Sequence, residues 1–551
     1  METAIGVFLC NCGGGLKNID FCAAAKRVAD IPCVTHVSLI STLCSEEGKE
    51  EMLSCIREKD IDRVVIGACS PEFKHHIFRR VLEEAEMNGH LLSMANIREQ
   101  CSWAHDGDVT GKAVELIRMA VNRARLLEAV EKQELPVNKD VLVVGGGFSA
   151  MGSALQLSRV GLRATLLLEE EAASGVRIRE QEALWGLDTS SMISAVEEDE
   201  NIEVITSARI TATEGEIGDF AVTITAEGQT ISRKYGAIVI ATGYQTEPAL
   251  ASGAKLRAET EAISDVNIVS QAQLCQMLRD PTLESRPTTI GFLFDFCEEH
   301  SRFPTVATLN NALAVKEKWK SDIYVFCRNV KVDGEGMERL YREARDRGVV
   351  FLKLEAPPRI TAENGRVEIE ARDILLGQDV MLACDLLVGE DLILPAKGTD
   401  NLSSLLHIRR DSRGFYQDEN VHLYPVAAEK KGIFFVGGCR GDSDPGRDLT
   451  DISSSVIGVY TLLSSGRIVI EKNKVWADPQ KCVACLTCIR VCPHGAIQLV
   501  REDSKKQVAL VSDLACDMCG ICAALCPAKA MKFQGYRDDQ VLAQIEAIGE
   551  S

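Results

Sequence analysis

A multidomain α/β protein is predicted by three features of the sequence. Short apolar runs alternate with amphipathic stretches from Ile5 onward, a glycine loop stands between a strand and a helix at Gly145, and a cysteine motif near the C-terminus is written twice. Strands and helices alternating at this spacing build a parallel sheet covered by helices. A chain of 551 residues, at roughly 150 per domain, has room for three or four such bodies. Composition shifts divide it into an N-terminal doubly wound α/β domain (1–132), a Rossmann-type domain with a degenerate second half (138–470) and an α+β module (473–551).

Charge and hydropathy narrow the function. Lys plus Arg is 61 against 81 for Asp plus Glu, a net charge of −20, so the surface does not attract nucleic acid or anionic lipid. No apolar run reaches the 18 or so residues of a membrane span, and the opening METAIGVFLCNC lacks a secretory pattern. A cytoplasmic location is expected. There, 21 cysteines signal metal or redox chemistry rather than disulfides.

The N-terminal domain reads IGVFLC then FCAAAKRVAD, VTHVSLI then EEGKEEMLSCI, RVVIGA then KHHIFRRVLEEA, and HLLSMA then a long helix around GKAVELIRMAVNRARLLEAV. The carboxyl ends of such strands converge on the ligand crevice of a doubly wound sheet. Cys10 and Cys12 close the first strand, Cys44 follows the second, Cys69 ends the third and Cys101 follows the fourth. An iron–sulfur cluster is expected at that edge, with one of Cys10 and Cys12 spare; buried free thiols are the alternative. The polar EKQELPVNKD that follows reads as a linker.

VLVVGGGFSA opens the second domain. Gly145-Gly146-Gly147-Phe148-Ser149-Ala150 fits GxGxxA between a strand and a helix, and Glu169 ends the next strand 24 residues after Gly145. Small residues let the backbone approach a pyrophosphate at the helix N-terminus, and the acid is placed to bond a ribose hydroxyl. A structural βαβ turn without a ligand is the plainer alternative. Ala241-Thr242-Gly243 after YGAIVI resembles the ATG motif that closes over the flavin in flavoproteins with two dinucleotide domains, so FAD is expected rather than NAD. TTIGFLFDF, SDIYVFCRN and GVVFLKLE predict a second βα layer, but only Gly291 stands where a nicotinamide half needs its glycine loop. NAD(P)H binding is therefore not expected. The absence of CxxC after Glu169 removes thioredoxin-reductase-like thiol exchange.

In the last module Cys482, Cys485, Cys488 and Cys492-Pro493 form CxxCxxCxxxCP, and Cys516, Cys519, Cys522 and Cys526-Pro527 repeat it. Two such runs in tandem predict a bacterial-type ferredoxin domain with two [4Fe–4S] clusters, in which each fourth cysteine serves the other cluster. One cluster then takes Cys482, Cys485, Cys488 and Cys526; the other takes Cys516, Cys519, Cys522 and Cys492. Zinc knuckles also use CxxC pairs, but the CP ending has no role in them.

In this order the pieces resemble the iron–sulfur flavoprotein subunit of heterodisulfide reductase, a component of anaerobic electron-transfer complexes, over nearly the whole chain. The likeness is carried by IGVFLCNCGG, VVIGACSPEF, ANIREQCSWAH, GGGFSA, FCRNVKVDGEGMERLYREARDRGVVF, GIFFVGGC and the ferredoxin tail. It implies a thioredoxin-reductase-like flavoprotein domain, one FAD, several [4Fe–4S] clusters and a hetero-oligomer. In that assembly a flavin hub takes electrons from a hydrogenase or formate dehydrogenase module and divides them between acceptors. By position the resemblance gives FAD contacts to Gly145, Gly147, Ser149, Ala150, Glu169, Arg177, Thr242, Gly243 and Gly438. It gives the N-terminal cluster to Cys10 or Cys12 with Cys44, Cys69 and Cys101. No side chain is required as a catalytic acid or base.

Three departures mark this chain as a shortened relative. The family's glycine pair reads Gly175-Val176, LWGLDTSSMISAV and SRFPTVATLNNAL replace cysteine-bearing segments, and the inserted second ferredoxin domain is missing. Two rival functions follow: a cluster-only electron wire or scaffold whose flavin site has decayed, and a stand-alone NAD(P)H:acceptor oxidoreductase whose flavin NADH alone would bleach.

Overall fold

The computed structural model describes residues 3–169, 189–249, 267–280, 286–297, 302–363, 365–441, 443–472, 474–503 and 506–549. Two compact units divide the chain, Met1–Glu134 with Val469–Ser551, and Leu135–Ile468.

In the first unit four parallel strands, β1 (Ile5–Cys10), β2 (Val34–Ile40), β3 (Arg63–Ala68) and β4 (Leu92–Asn96), lie in the order β2-β1-β3-β4. Helices α1 (Phe21–Ala29), α2 (Glu46–Glu58), α3 (Pro71–Glu84) and α4 (Thr110–Ala124) cover them. Ile5, Val7 and Leu9 enter the core shared with α1 and α4, while Phe8 and Cys10 enter the one shared with α2 and α3. Burial on both faces explains the unbroken apolar IGVFLC. The chain reverses direction across the sheet between β1 and β3, which opens a crevice at their carboxyl ends. The stretch expected as a linker instead contains a strand, Lys132–Pro136, whose polar composition hides its extended backbone.

The C-terminal module of this unit runs as strand Val475–Ala477, helix Thr487–Val491, hairpin Ile497–Asp503 with Lys506–Val511, helix Ile521–Ala524, strand Met531–Phe533 and helix Asp538–Glu546. It docks on the end of α4. The Arg123 guanidinium donates to the Gly535 carbonyl at 3.1 and 2.7 Å and lies 4.5 Å from the Tyr536 ring centre, and the buried Gln540 donates to the Leu126 carbonyl at 2.9 Å.

The second unit holds two parallel sheets. β5 (Asp140–Val144), α5 (Phe148–Arg159), β6 (Arg163–Leu167), β7 (Ile202–Ile205) and β8 (Ala237–Ile240) begin the first half, and β9 (Tyr244–Pro248) leaves it. The other half follows with β10 (Ile268–Ser270), β11 (Thr289–Phe294), α6 (Phe303–Lys318), β12 (Asp322–Cys327), β13 (Val349–Lys353) and β14 (Leu386–Gly389). β15 (Asp391–Pro395) pairs antiparallel with β9 and returns the chain to β16 (Ile433–Phe435) and α7 (Pro445–Leu463). The sheet orders are β16-β8-β5-β6-β7 and β10-β14-β11-β12-β13, and each half carries a three-stranded antiparallel meander. Among the described residues no helix is long and apolar enough to cross a membrane.

Candidate functional site

Gly145 leaves β5 at φ +135°, and a Cβ there would meet the Ala241 carbonyl oxygen at 2.2 Å, so the glycine loop and the Ala241-Thr242-Gly243 turn touch backbone to backbone. Only glycine fits such a conformation and approach. Gly147 is the N-cap of α5 and no side chain caps this end, which leaves its first N–H groups and the helix dipole for an anion. Ala150 is fully buried in the following turn.

Ser149 Oγ donates to Asp448 Oδ2 at 2.7 Å, and Ser443 Oγ also donates to Asp448. Burial raises the Asp448 carboxyl above its usual range against the pull of these two hydroxyls. Asp451 accepts from the Gly437 N–H at 3.2 Å and from Arg440 at 2.6 Å, and Arg440 also pairs with Asp418. The first turns of α7 thereby fix the Gly437-Gly438 turn against α5. A Cβ at Gly438 would lie 2.3 Å from the Tyr244 ring, and Glu169 Oε1 lies 3.5 Å from where a Cβ of Gly398 would stand. These glycines leave a cradle around Gly145, Gly147, Thr242, Gly243 and Gly438 that fits a flavin dinucleotide. Sequence reading missed Asp448, Asp451 and Arg440, because Ser149 and Asp448 are 299 residues apart and no local pattern links them. Gly175, Val176 and Arg177 lie outside the described residues.

In the C-terminal module, Cys482, Cys485, Cys488 and Cys526 line one cavity of about 380 Å³. Around the second centre, burial pushes the Cys522 thiol up to about 11, and Cys516, Cys492 and Cys519 are near enough to act in the same direction. The two halves repeat each other in detail. Cys492 Sγ accepts from the Ala496 N–H at 3.4 Å and Cys526 Sγ from the Ala530 N–H at 3.3 Å. Ala484 and Leu486 are left-handed in one half, as Met518 and Gly520 are in the other. A left-handed leucine costs roughly 1–2 kcal/mol, a strain suited to a loop that wraps a ligand. Among the described residues no three His, Cys, Asp or Glu side chains gather tightly enough to grip one ion. Cysteines spread around a cavity match a multi-atom cluster better than a zinc tetrahedron.

At the crevice of the first unit, Cys10 Sγ accepts from the Leu43 N–H at 3.4 Å, and Arg98 Nη1 donates to Cys12 Sγ at 3.3 Å. Burial raises the Cys10 and Cys69 thiols; Cys12 and Cys44 act on Cys10, and Arg98 and Cys44 act on Cys69. Cys10, Cys12, Cys44 and Cys69 are thus electrostatic neighbours. Cys101 is fully buried on the α4 side, its Sγ 3.8 Å from the Val109 carbonyl, and the charge acting on it is Lys112. Neutral buried thiols lose protons when they ligate metal, so loading each centre releases protons.

Two protein-family models match the chain: a 4Fe-4S dicluster domain over 481–530 and a pyridine nucleotide-disulphide oxidoreductase over 107–277. An iron-sulfur subunit of the CoB–CoM heterodisulfide reductase of Methanopyrus kandleri is 28% identical, covering 99% of this chain and 98% of its own length. The corresponding subunit of the ferredoxin:CoB-CoM heterodisulfide reductase of Methanosarcina mazei is 26% identical over 98% of this chain and 80% of its own. The chain is of the heterodisulfide reductase flavoprotein type. This heterodisulfide reductase-like chain is an oxidoreductase subunit of the FAD and [4Fe–4S] electron-transfer class, and its relatives are subunits of larger redox assemblies. The 664 aligned positions of the Methanopyrus match exceed its 551 residues, so that relative carries internal segments the heterodisulfide reductase-like chain lacks. Among solved structures, Lactococcus lactis thioredoxin reductase matches 60% of the chain at 14% identity with a TM-score of 0.41.

Proposed function

We propose that this chain passes electrons between partner redox subunits in the cytoplasm through one FAD and three [4Fe–4S] clusters, two in the C-terminal module and one in the N-terminal crevice. The observation that carries this reading is a single chain holding both an open glycine cradle and a cavity lined by Cys482, Cys485, Cys488 and Cys526. FAD supplies the exchange between two-electron and one-electron traffic. The protein's residues bind, orient and shield: α5 presents its N–H groups to the pyrophosphate, Glu169 stands at the ribose, and Thr242-Gly243 and Gly438 border the flavin end.

The second cluster takes Cys516, Cys519, Cys522 and Cys492. In the N-terminal crevice Cys10, Cys44 and Cys69 take three ligand places, and the fourth lies between the nearer Cys12 and the more remote Cys101. The domain limits 1–132, 138–470 and 473–551 remain the proposed folding divisions, the first and third packed in one unit. As partners we propose reductase subunits together with a hydrogenase or formate dehydrogenase module. The Methanothermobacter thermautotrophicus relative is named for H2, CoB-CoM heterodisulfide and ferredoxin together, which supports a hub that divides electrons between acceptors.

The test is metal and flavin content of the anaerobically reconstituted full chain. About twelve iron atoms, four per cubane, with one FAD support the reading. About eight iron atoms would remove the N-terminal cluster, and a cluster-only spectrum would leave an electron wire. Loss of four irons in Cys12→Ser but not in Cys101→Ser assigns the fourth ligand to Cys12; the opposite pattern assigns it to Cys101.

A further inference from the structure

The second nucleotide half of the flavin unit has backbone donors of its own, and they are taken. At the end of β11 the chain turns through Asp295, which is left-handed at φ +67°. The N–H groups of Asp295, Phe296 and Cys297 donate to the Glu390 carboxylate at 2.8, 3.3 and 2.8 Å. Glu390 directly follows β14, the neighbour of β11 in the sheet, and is 3% exposed. In a dinucleotide-binding half the turn after the first strand gives these N–H groups to a pyrophosphate. Here an internal anion occupies them.

Two further contacts close the same site. The Asp295 carboxylate accepts from the Asn329 N–H at 2.9 Å and pairs with Lys331 at 2.6 Å, which ties down the segment after β12 where a ribose or its phosphate is read. At the start of α6 the buried Phe303 packs edge-on against Tyr244, ring centres 5.8 Å apart, between the flavin turn and the second half. Gly291 gives no relief. It lies inside β11, where a Cβ would meet Cys384 Sγ at 2.9 Å, so it serves strand packing and not the loop.

We propose that Glu390 stands in for a dinucleotide phosphate and closes the second nucleotide site, so that electrons reach the flavin from proteins and not from NADH or NADPH. The consequence for electron entry rests on the flavin reading above; the closure belongs to the loop itself. Glu390 is then the specificity-determining residue that separates this chain from nicotinamide-dependent flavoproteins of the same plan.

Hydrogen exchange on the full chain tests this directly. The amides of 295–297 are expected to exchange slowly, with millimolar NADH or NADPH changing neither their rates nor the melting temperature. In Glu390→Ala they should exchange at least about tenfold faster, the weight of one lost hydrogen bond, and inorganic pyrophosphate should slow them again. Glu390→Gln, which keeps the shape and one acceptor, should fall between. The proposal is overturned if the wild-type amides exchange like an open loop, if NADH slows them, or if Glu390→Ala leaves them unchanged. Should Glu390→Ala fail to fold, the wild-type rates and Glu390→Gln decide. Loss of electron transfer to partner proteins would not alter these rates, so failure of the functional reading is seen separately.

Discussion

At the turn after β5, no side chain crosses the N-terminus of α5, and Gly145 brings the backbone against Ala241. At the turn after β11, the N–H groups of Asp295, Phe296 and Cys297 end on Glu390. Both turns leave a strand of a five-stranded parallel sheet, and both halves carry an antiparallel meander. The scaffold is therefore the same, and the ligand is decided by whether a neighbouring strand ends in a carboxylate. A Rossmann-like sheet by itself does not specify a nucleotide.

Four substitutions break or sharpen that contrast. Gly145→Val has the largest expected effect: its φ and the 2.2 Å approach to Ala241 admit no side chain, so FAD affinity should fall by about 100-fold or more, read as flavin released from the purified chain. The iron content should stay unchanged. Gly291→Val, the counterpart inside β11, crowds Cys384 and should cost about 1–3 kcal/mol of stability by denaturant titration without changing FAD affinity.

Asp448→Asn tests the support beneath the open turn. Because burial raises the Asp448 carboxyl, its folded form favours the proton, and the stability it contributes at low pH is lost as pH rises from its ordinary 3.8 through the raised value. The asparagine variant should lack this slope, with a melting temperature at neutral pH on the order of 2 °C different from wild type's when both are referenced to acid pH. Glu169→Ala is expected to have the smallest effect. It removes one ribose contact worth about 0.5–1.5 kcal/mol, so equilibrium dialysis should show FAD binding weakened by about tenfold at most.

Much of this was legible in the sequence where function is written locally. GGGFSA lies between a strand and a helix because both periods are visible on either side of it, and the doubled cysteine run sets its βαββαβ path through spacing alone. The gathering of Cys10, Cys44 and Cys69 was readable only through strand order, since each belongs to a different βα unit. The remote position of Cys101 on the α4 side was not, because a turn that follows a strand can face either side of the sheet. Glu390 could not be found from the sequence: its donors lie 93 to 95 residues earlier, and only the pairing of β14 with β11 brings them together. Gly291 was read as a remnant of a loop, but strand packing against Cys384 explains it. The union of the first and last domains in one unit depends on contacts such as Arg123 with Gly535, 412 residues apart, for which no local signal exists.

Anaerobic stopped-flow spectroscopy of the FAD- and iron-loaded chain tests most directly that its flavin is wired to proteins. Mixed with a reduced low-potential ferredoxin, the flavin absorbance is predicted to bleach within the dead time or over seconds, while NADH and NADPH in excess leave it oxidised. Rapid bleaching by either nicotinamide, with no response to the reduced ferredoxin, would contradict the account.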